Sequence, residues 1–177
     1  MHSVGKLSQD NSGFSLVEVL MAAVILAGGL LALGYGLSQG MIISSTSHYH
    51  QIAKEKASEA IESVNTSRDT HIIAWNQIRN VDNGGIFLDG PQPLCGRGPD
   101  GLVNTADDGA AETETLSGKD GILGTGDDVV NSLSAFTRQI LITDLAPNLR
   151  QIRVIVRYRI GHLTRQYEVI SYISSFA

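Results

Sequence analysis

The sequence predicts an α+β protein in which one long N-terminal helix precedes a small C-terminal antiparallel sheet, with a long acidic loop between them. Residues 19–37 contain no charged side chain, over a length that matches the hydrocarbon core of a bilayer when helical. Residues 152–160 alternate apolar and mainly basic side chains, which is typical of a strand with one buried face. At 177 residues the chain is long enough for one domain and short for two.

The N-terminal region predicts a leader, residues 1–13, followed by a transmembrane helix, residues 14–40. A secretory signal peptide would place its cleavage site after the apolar run. Here the run continues into a polar helical stretch without such a site. Cleavage before the run fits better, and it would leave the hydrophobic helix on the mature protein.

The apolar helix carries a row of small residues at four-residue steps, Gly28, Ala32, Gly36 and Gly40. Such a ridge lies along one side of a helix and suits close packing against another membrane helix. Residues 41–68 predict an amphipathic continuation of the same helix into the head, because apolar residues recur there at three- and four-residue steps.

Residues 69–135 are rich in Gly, Asp and Asn and predict an irregular loop region. A connection of this length is usually functional or stabilised by a ligand. Residues 136–177 predict antiparallel strands, with turns at 146–148 and 161–162. The middle strand is expected to bury its even-numbered apolar residues and to expose the opposite face, which comprises Arg153, Ile155, Arg157 and Arg159.

The net charge of -5 conceals a strong segregation along the chain. Acidic residues dominate between Asp82 and Asp128, whereas six arginines follow from Arg138 onward. An acidic loop and a basic sheet within one small head are expected to attract each other. The single cysteine, Cys95, cannot form an intrachain disulfide, so other contacts must hold the loops of the head.

The junction between leader and helix reads Gly13-Phe14-Ser15-Leu16-Val17-Glu18-Val19-Leu20. Glycine before the cut lets the backbone enter a narrow protease site, since it has no Cβ. Glu18 is an ionisable group at the rim of an apolar span, where a charge at mid-membrane costs roughly 2.5–3.5 kcal/mol. A carboxylate in that position is expected to have a partner.

This junction resembles the prepilin peptidase site of type IV pilins and of type II secretion pseudopilins. Residues 29–33 and 57–64 look most like PilV-like minor pilins and the related minor pseudopilins, and residues 146–172 are similar to their C-terminal sheet. The resemblance implies the type IV pilin fold, cleavage by prepilin peptidase and N-methylation of Phe14. It also implies that Glu18 meets the freed α-amine of a neighbouring subunit.

The same resemblance implies a location and partners. The chain would be a single-pass protein of the inner membrane with a periplasmic head, in contact with an assembly platform. It would then join other pilin subunits, through its N-terminal helix, in a type IV pilus or a type II secretion filament.

The acidic loop region contains a repeat, GPDGLVNTADD at residues 98–108 and GKDGILGTGDD at residues 118–128. Asn104 and Gly124 occupy matching positions, and both residue types tolerate positive φ, so the copies are expected to share one backbone shape. Calcium prefers about 6–8 oxygen ligands. The predicted calcium ligands are the shared carboxylates Asp100, Asp107, Asp108, Asp120, Asp127 and Asp128.

Two alternatives to calcium are a solvated acidic loop and a loop paired with the arginine face. Zinc is disfavoured because the repeat contains no histidine and the single cysteine is distant.

No G-x-S-x-G, Walker loop or metalloprotease helix is present, so the sequence does not predict an enzyme. The rival function is a membrane-anchored extracytoplasmic binding module for DNA uptake or adhesion, with the arginine face holding DNA. Few aromatic residues interleave with the arginines and the chain is acidic overall, which argues against nucleic acid.

Overall fold

The computed structural model describes Gly13 and residues 15–176, except for the side chains of Ile42 and Ser45. The rest of the predicted leader lies outside the described residues. Helix α1 (Leu16–Asp69) comes first, and the short 3-10 helices Trp75–Gln77 and Val81–Asn83 follow it. The strands of the described chain are β1 (Gln92–Pro93), β2 (Thr113–Leu116), β3 (Val129–Ser132), β4 (Phe136–Ala146), β5 (Leu149–Ile160) and β6 (Leu163–Ser174). The predicted α+β class is confirmed.

The chain divides into two compact units, the first ending at Ser45 and the second, the head, beginning at Thr46. In the first unit the described large apolar side chains of α1 are exposed. The helix is long and apolar enough to cross a membrane. It begins with a hydrogen bond of 3.1 Å from the Val19 amide to the Ser15 carbonyl.

In the head, α1 packs through a stripe of mostly small side chains, and Ala53, Ala57 and Ala60 are completely buried. Alanine lets the helix backbone approach the sheet closely, and its three- and four-residue spacing keeps one face of the helix inward. The buried core partners from the sheet are Phe136, Ile140, Ile142, Ile152, Val154, Val156, Tyr158 and Ile173. The amphipathic pattern of residues 41–68 therefore places the head core where the sequence predicted it.

The main sheet has the order β1-β4-β5-β6, and all its pairs are antiparallel. The three long strands confirm the strands predicted for residues 136–177. One detail differs from the sequence pattern. Ile155, predicted on the solvent face, is buried between its cross-strand neighbours Gln139 of β4 and Glu168 of β6.

The region 69–135 is less irregular than predicted. Besides the two 3-10 helices, it contains β1, which pairs with β4, and the hairpin β2–β3, whose strands pair with each other. These strands are two and four residues long. Runs that short carry too little alternation for a periodicity argument to identify them.

Two asparagine side chains of this region cover the edge of β4 near its middle. Asn80 donates from Nδ2 to the Ile140 carbonyl at 2.8 Å and accepts the Ile142 amide at 2.8 Å. Asn104 donates from Nδ2 to the Arg138 carbonyl at 2.9 Å and accepts the Arg138 Nε–H at 2.7 Å. Both asparagines are buried. Their amides replace the hydrogen bonds that a neighbouring strand would make.

We predict that Asn104→Ala destabilises the head by about 3–5 kcal/mol, because it removes the acceptor of the buried Arg138 Nε–H. Asn104 also adopts φ 63°, which alanine tolerates poorly. Urea unfolding of the detergent-solubilised chain, followed by the fluorescence of the single tryptophan, Trp75, measures the change. Asn76→Ala, at an exposed asparagine, is the matched control and is expected to change stability by less than about 0.5 kcal/mol. Equal effects of the two substitutions would contradict this role for Asn104.

Candidate functional site

The predicted assembly residues lie at the start of α1. Gly13 is exposed, Phe14 lies outside the described residues, and Glu18 lies exposed in the first turn of the helix. A carboxylate there is favoured by the partial positive charge of the helix N-terminus. Glu18 has no ion-pair partner within the described part of the chain, so any partner must come from elsewhere.

Two residues of the predicted ridge, Ala32 and Gly36, line a shallow apolar depression on α1. Gly29, Ala32, Leu33, Gly36 and Leu37 line it. A Cβ added at Gly28, Gly29 or Gly36 would meet no neighbouring atom within 4 Å. The depression is therefore open to an approaching helix.

The first acidic repeat folds as a turn held by its own aspartates. Asp100 Oδ1 accepts the Leu102 amide at 2.8 Å. Asp108 accepts the amides of Asn104 at 2.8 Å and Thr105 at 3.0 Å. The Thr105 hydroxyl donates to Asp107 Oδ1 at 2.8 Å. The carboxylates thus satisfy backbone N–H groups that no strand or helix pairs.

The second repeat reproduces three of these four hydrogen bonds at the matching positions. Asp120 Oδ1 accepts the Ile122 amide at 2.9 Å, Asp128 Oδ2 accepts the Gly124 amide at 2.6 Å, and the Thr125 hydroxyl donates to Asp127 Oδ1 at 2.7 Å.

The backbone torsions of the two copies also agree. Gly101 and Gly121 have φ of 76° and 70°, and Asn104 and Gly124 have φ of 63° and 88°. The predicted common backbone shape is confirmed.

The two copies differ in what lies around them. Leu102 and Val103 of the first copy are completely buried in the head core. Their counterparts in the second copy, Ile122 and Leu123, are 60% and 64% exposed. The same turn therefore anchors the loop region to the core in one copy and presents an apolar pair to solvent in the other.

The six aspartates do not gather into one cation site. Among the described residues, no group of three or more His, Cys, Asp or Glu side chains is placed to hold a metal ion. In the first copy, burial and the neighbouring carboxylates of Asp107 and Asp108 raise the pKa of Asp100, although the Leu102 amide opposes this. Negative charge thus accumulates in this loop, and calcium binding there stays a prediction.

Two arginines of the sheet are buried against residues 69–135, but their direct partners in that region are uncharged, so neither forms the predicted ion pair between acidic loop and basic sheet. The first, Arg138 of β4, hydrogen-bonds to Asn104 of the first repeat. Burial lowers the pKa of the Arg138 guanidinium, while the charges of Glu112, Glu59 and Asp108 partly offset that effect. Those carboxylates act on Arg138 through their charge alone, because its direct side-chain partner is the amide of Asn104.

Next to Arg138, charged side chains connect α1 to the loop region. Lys56 pairs with Glu59 at 2.9 Å and with Glu112, and Arg97 pairs with Glu59 at 3.1 Å. Burial by itself would raise the pKa of Glu59, but the hydrogen bonds from Lys56 and Arg97, together with the charges of Lys56 and Arg138, outweigh it and lower that pKa. The network holds the loop against the helix without a disulfide.

The second buried arginine, Arg150 of β5, holds the start of the loop region. Its guanidinium carbon lies 4.1 Å from the centre of the Trp75 ring, and Nη1 donates to the carbonyls of Trp75 and, at 3.0 Å, Ile78. Asp144 accepts from Arg150 Nε at 2.5 Å and from Arg79. These hydrogen bonds lower the pKa of Asp144.

The arginine face is consequently smaller than the sequence indicated. Arg138 and Arg150 are buried, Arg153 pairs with Glu168 at 2.8 Å, and Arg157 donates to Gln139. Only two arginines of β5 and β6, Arg159 and Arg165, are exposed without a side-chain partner in the described chain. This leaves little surface for a DNA backbone, which needs several free cations.

Sequence reasoning missed the burial of four polar residues that hold the head together, Asn80, Asn104, Arg138 and Arg150. One signal was available for Asn104, because the repeat aligned it with a glycine and so indicated positive φ. Another was available for Arg138, since it lies at an apolar-facing position of β4 between Phe136 and Ile140.

The paired repeats allow a matched test of where the head core ends. We predict that Leu102→Ala destabilises the head by about 2–5 kcal/mol, because it empties a buried site. Ile122→Ala, the equivalent change in the second copy, is expected to alter stability by less than about 0.5 kcal/mol. Urea unfolding followed by Trp75 fluorescence measures both. Similar values for the two variants would show that the copies have equivalent surroundings.

Calcium binding to the repeats is tested by thermal unfolding of the full chain in detergent. Calcium at about 100 times its dissociation constant would add roughly 2.7 kcal/mol, which raises the Tm. Asp107→Asn combined with Asp127→Asn removes two charges while keeping the acceptor oxygens, and it is expected to abolish the rise. A Tm that calcium does not change in the unsubstituted chain would contradict the prediction.

The chain matched no protein-family model, no curated protein and no solved structure.

Proposed function

We propose that this chain is a filament subunit of the type IV pilin class, a minor pilin or a pseudopilin of a type II secretion filament, and has no enzymatic activity of its own. Prepilin peptidase would cut between Gly13 and Phe14 and N-methylation would follow at Phe14. The mature chain would reside in the inner membrane with its head in the periplasm until the assembly platform inserts it into the filament.

The observation that carries the proposal is the position of Glu18. It is the only charged residue between Gly13 and Ser38, and it lies in the first turn of an apolar helix. A carboxylate at the edge of an apolar span is costly unless a cation neutralises it. Cleavage after Gly13 would create such a cation, the α-amine of Phe14, four residues away and one per subunit.

Two further features support an assembly role for α1. Its apolar side chains in the first unit are exposed, so this surface requires lipid or other helices. The depression at Ala32 and Gly36 would admit a neighbouring helix at short range. A head in which a helix packs on an antiparallel sheet is compatible with the type IV pilin fold.

Processing is the first test. Mass spectrometry of the mature chain is expected to show a start at Phe14 with one added methyl group, and Gly13→Ala is expected to slow processing because it adds a Cβ at the cut. A mature chain that retains Met1, or starts anywhere except Phe14, would sink the proposal.

Assembly is the second test. Glu18→Ala is expected to leave processing intact but to lower recovery in sheared filaments by about a hundredfold. The reason is that an unpaired α-amine in an apolar environment costs roughly 3 kcal/mol, and 1.4 kcal/mol corresponds to about tenfold. Glu62→Ala, at an exposed glutamate in the head portion of α1, is the control and should be recovered normally. Normal recovery of Glu18→Ala would count against the assembly role.

A further inference from the structure

The second repeat forms the tip of an arm with an exposed apolar surface. Strands β2 and β3 pair only with each other within the described sheets. Besides Ile122 and Leu123 in the loop, Val129 and Val130 of β3 are also more than half exposed. Loop residues 117–128 contain one lysine and three aspartates, a net charge of -2. The tip is therefore both apolar and negative, and its backbone is already ordered by the repeat's hydrogen bonds.

The end of the β5–β6 hairpin has the complementary character. Leu163 is 63% exposed, and the exposed cations Arg159 and Arg165 flank it. Neither arginine has an acidic partner in the described part of the chain. This end, residues 159–165, is thus an apolar surface with two unneutralised positive charges.

These two surfaces lie on opposite flanks of the same turn of α1. His48 Nε2 lies 2.9 Å from Glu114 of β2. His50 contacts the other side, with Nδ1 3.2 Å from the Tyr158 hydroxyl and its ring against Tyr167 of β6. Residues two apart in a helix point about 200° apart around the axis. If two heads are placed side by side with their α1 helices parallel, the arm of one therefore faces the β5–β6 end of the other.

We propose that the tip of the β2–β3 arm, through Ile122 and Leu123, docks on the β5–β6 end of a second copy of this chain, around Leu163. Apolar contact is complemented by attraction between the acidic loop and Arg159 and Arg165. The two surfaces are different, so the contact is heterologous and can repeat from copy to copy without closing. The inference rests on the proposed filament function, which would supply copies held side by side.

A lipid surface is the rival occupant of the apolar tip. Anionic membrane surfaces attract basic segments, and a loop with a net charge of -2 is repelled by them. Self-association of the arms is the other rival, and it would juxtapose two negative loops. Charge therefore favours the β5–β6 end over both.

The test is disulfide cross-linking of full-length chains in the membranes of producing cells. Cys95→Ser removes the single native thiol. A copy with Leu123→Cys and a differently tagged copy with Leu163→Cys are oxidised with copper phenanthroline. The expected result is a mixed dimer, several-fold more abundant than with Leu145→Cys, an exposed position at the opposite end of the sheet. Arg159→Glu with Arg165→Glu should reduce the mixed dimer several-fold.

Three outcomes would overturn the proposal. The first is equal cross-linking at Leu145→Cys, and the second is efficient cross-linking between two Leu123→Cys copies. The third uses a bimane label on the introduced thiol of the Leu123→Cys chain. The labelled chains are diluted into phosphatidylglycerol vesicles so that each is isolated. Bimane emission that stays blue-shifted there would show that the tip contacts lipid.

The proposed contact and the proposed filament function can fail independently of each other. Cleavage at Phe14 and filament recovery without the mixed dimer refute only this contact. A mixed dimer of chains that are not cleaved refutes only the filament function.

Discussion

The stability of the head depends on how the unpaired backbone groups along the edge of β4 are satisfied. An edge strand exposes unpaired N–H and C=O groups, and a head of this size offers few elements to cover them. Short β1 covers only its beginning, and Asn80 and Asn104 supply amides to the next residues along it. Because both asparagines come from the connecting region, the same hydrogen bonds that satisfy β4 also fix the path of that region. The buried Arg138 adds a charged donor to this contact.

That constraint explains why two copies of one turn have different surroundings. The first copy contains Asn104, which is held at β4, so its apolar pair enters the core. The second copy has Gly124 at the matching position, which keeps the positive φ but has no amide side chain to donate. Without that anchor the second turn is held by hydrogen bonds among its own residues, several of which join a carboxylate to a backbone amide. Local sequence thus sets the shape of the turn, while one side chain sets its location.

The sequence predicted the elements with a regular period and missed those held by single contacts. The helix, the three long strands and their turns follow from spacing, and the repeat correctly indicated a common backbone. The acidic composition suggested a cation site, whereas the aspartates in the structure, such as Asp108, accept backbone N–H groups. Composition cannot distinguish these uses, because a carboxylate is equally suited to an amide or an ion. Likewise, Arg150 is buried because an indole and two carbonyls surround it, and no sequence periodicity indicates such a set of contacts.

The two units of the chain differ in what covers their apolar side chains, and this difference bears on the proposed function. The head is stabilised by an alanine-rich helix face, apolar strands and buried polar contacts, and it needs no disulfide around Cys95. The described large apolar side chains of the first unit are exposed, so their burial requires lipid or other chains. Glu18 would be unfavourable in either environment unless a cation accompanied it. Cleavage after Gly13 would create that cation in the same step that removes the leader from the helix. The chemistry of one peptide bond would therefore control when the apolar helix can exchange lipid for a neighbouring subunit.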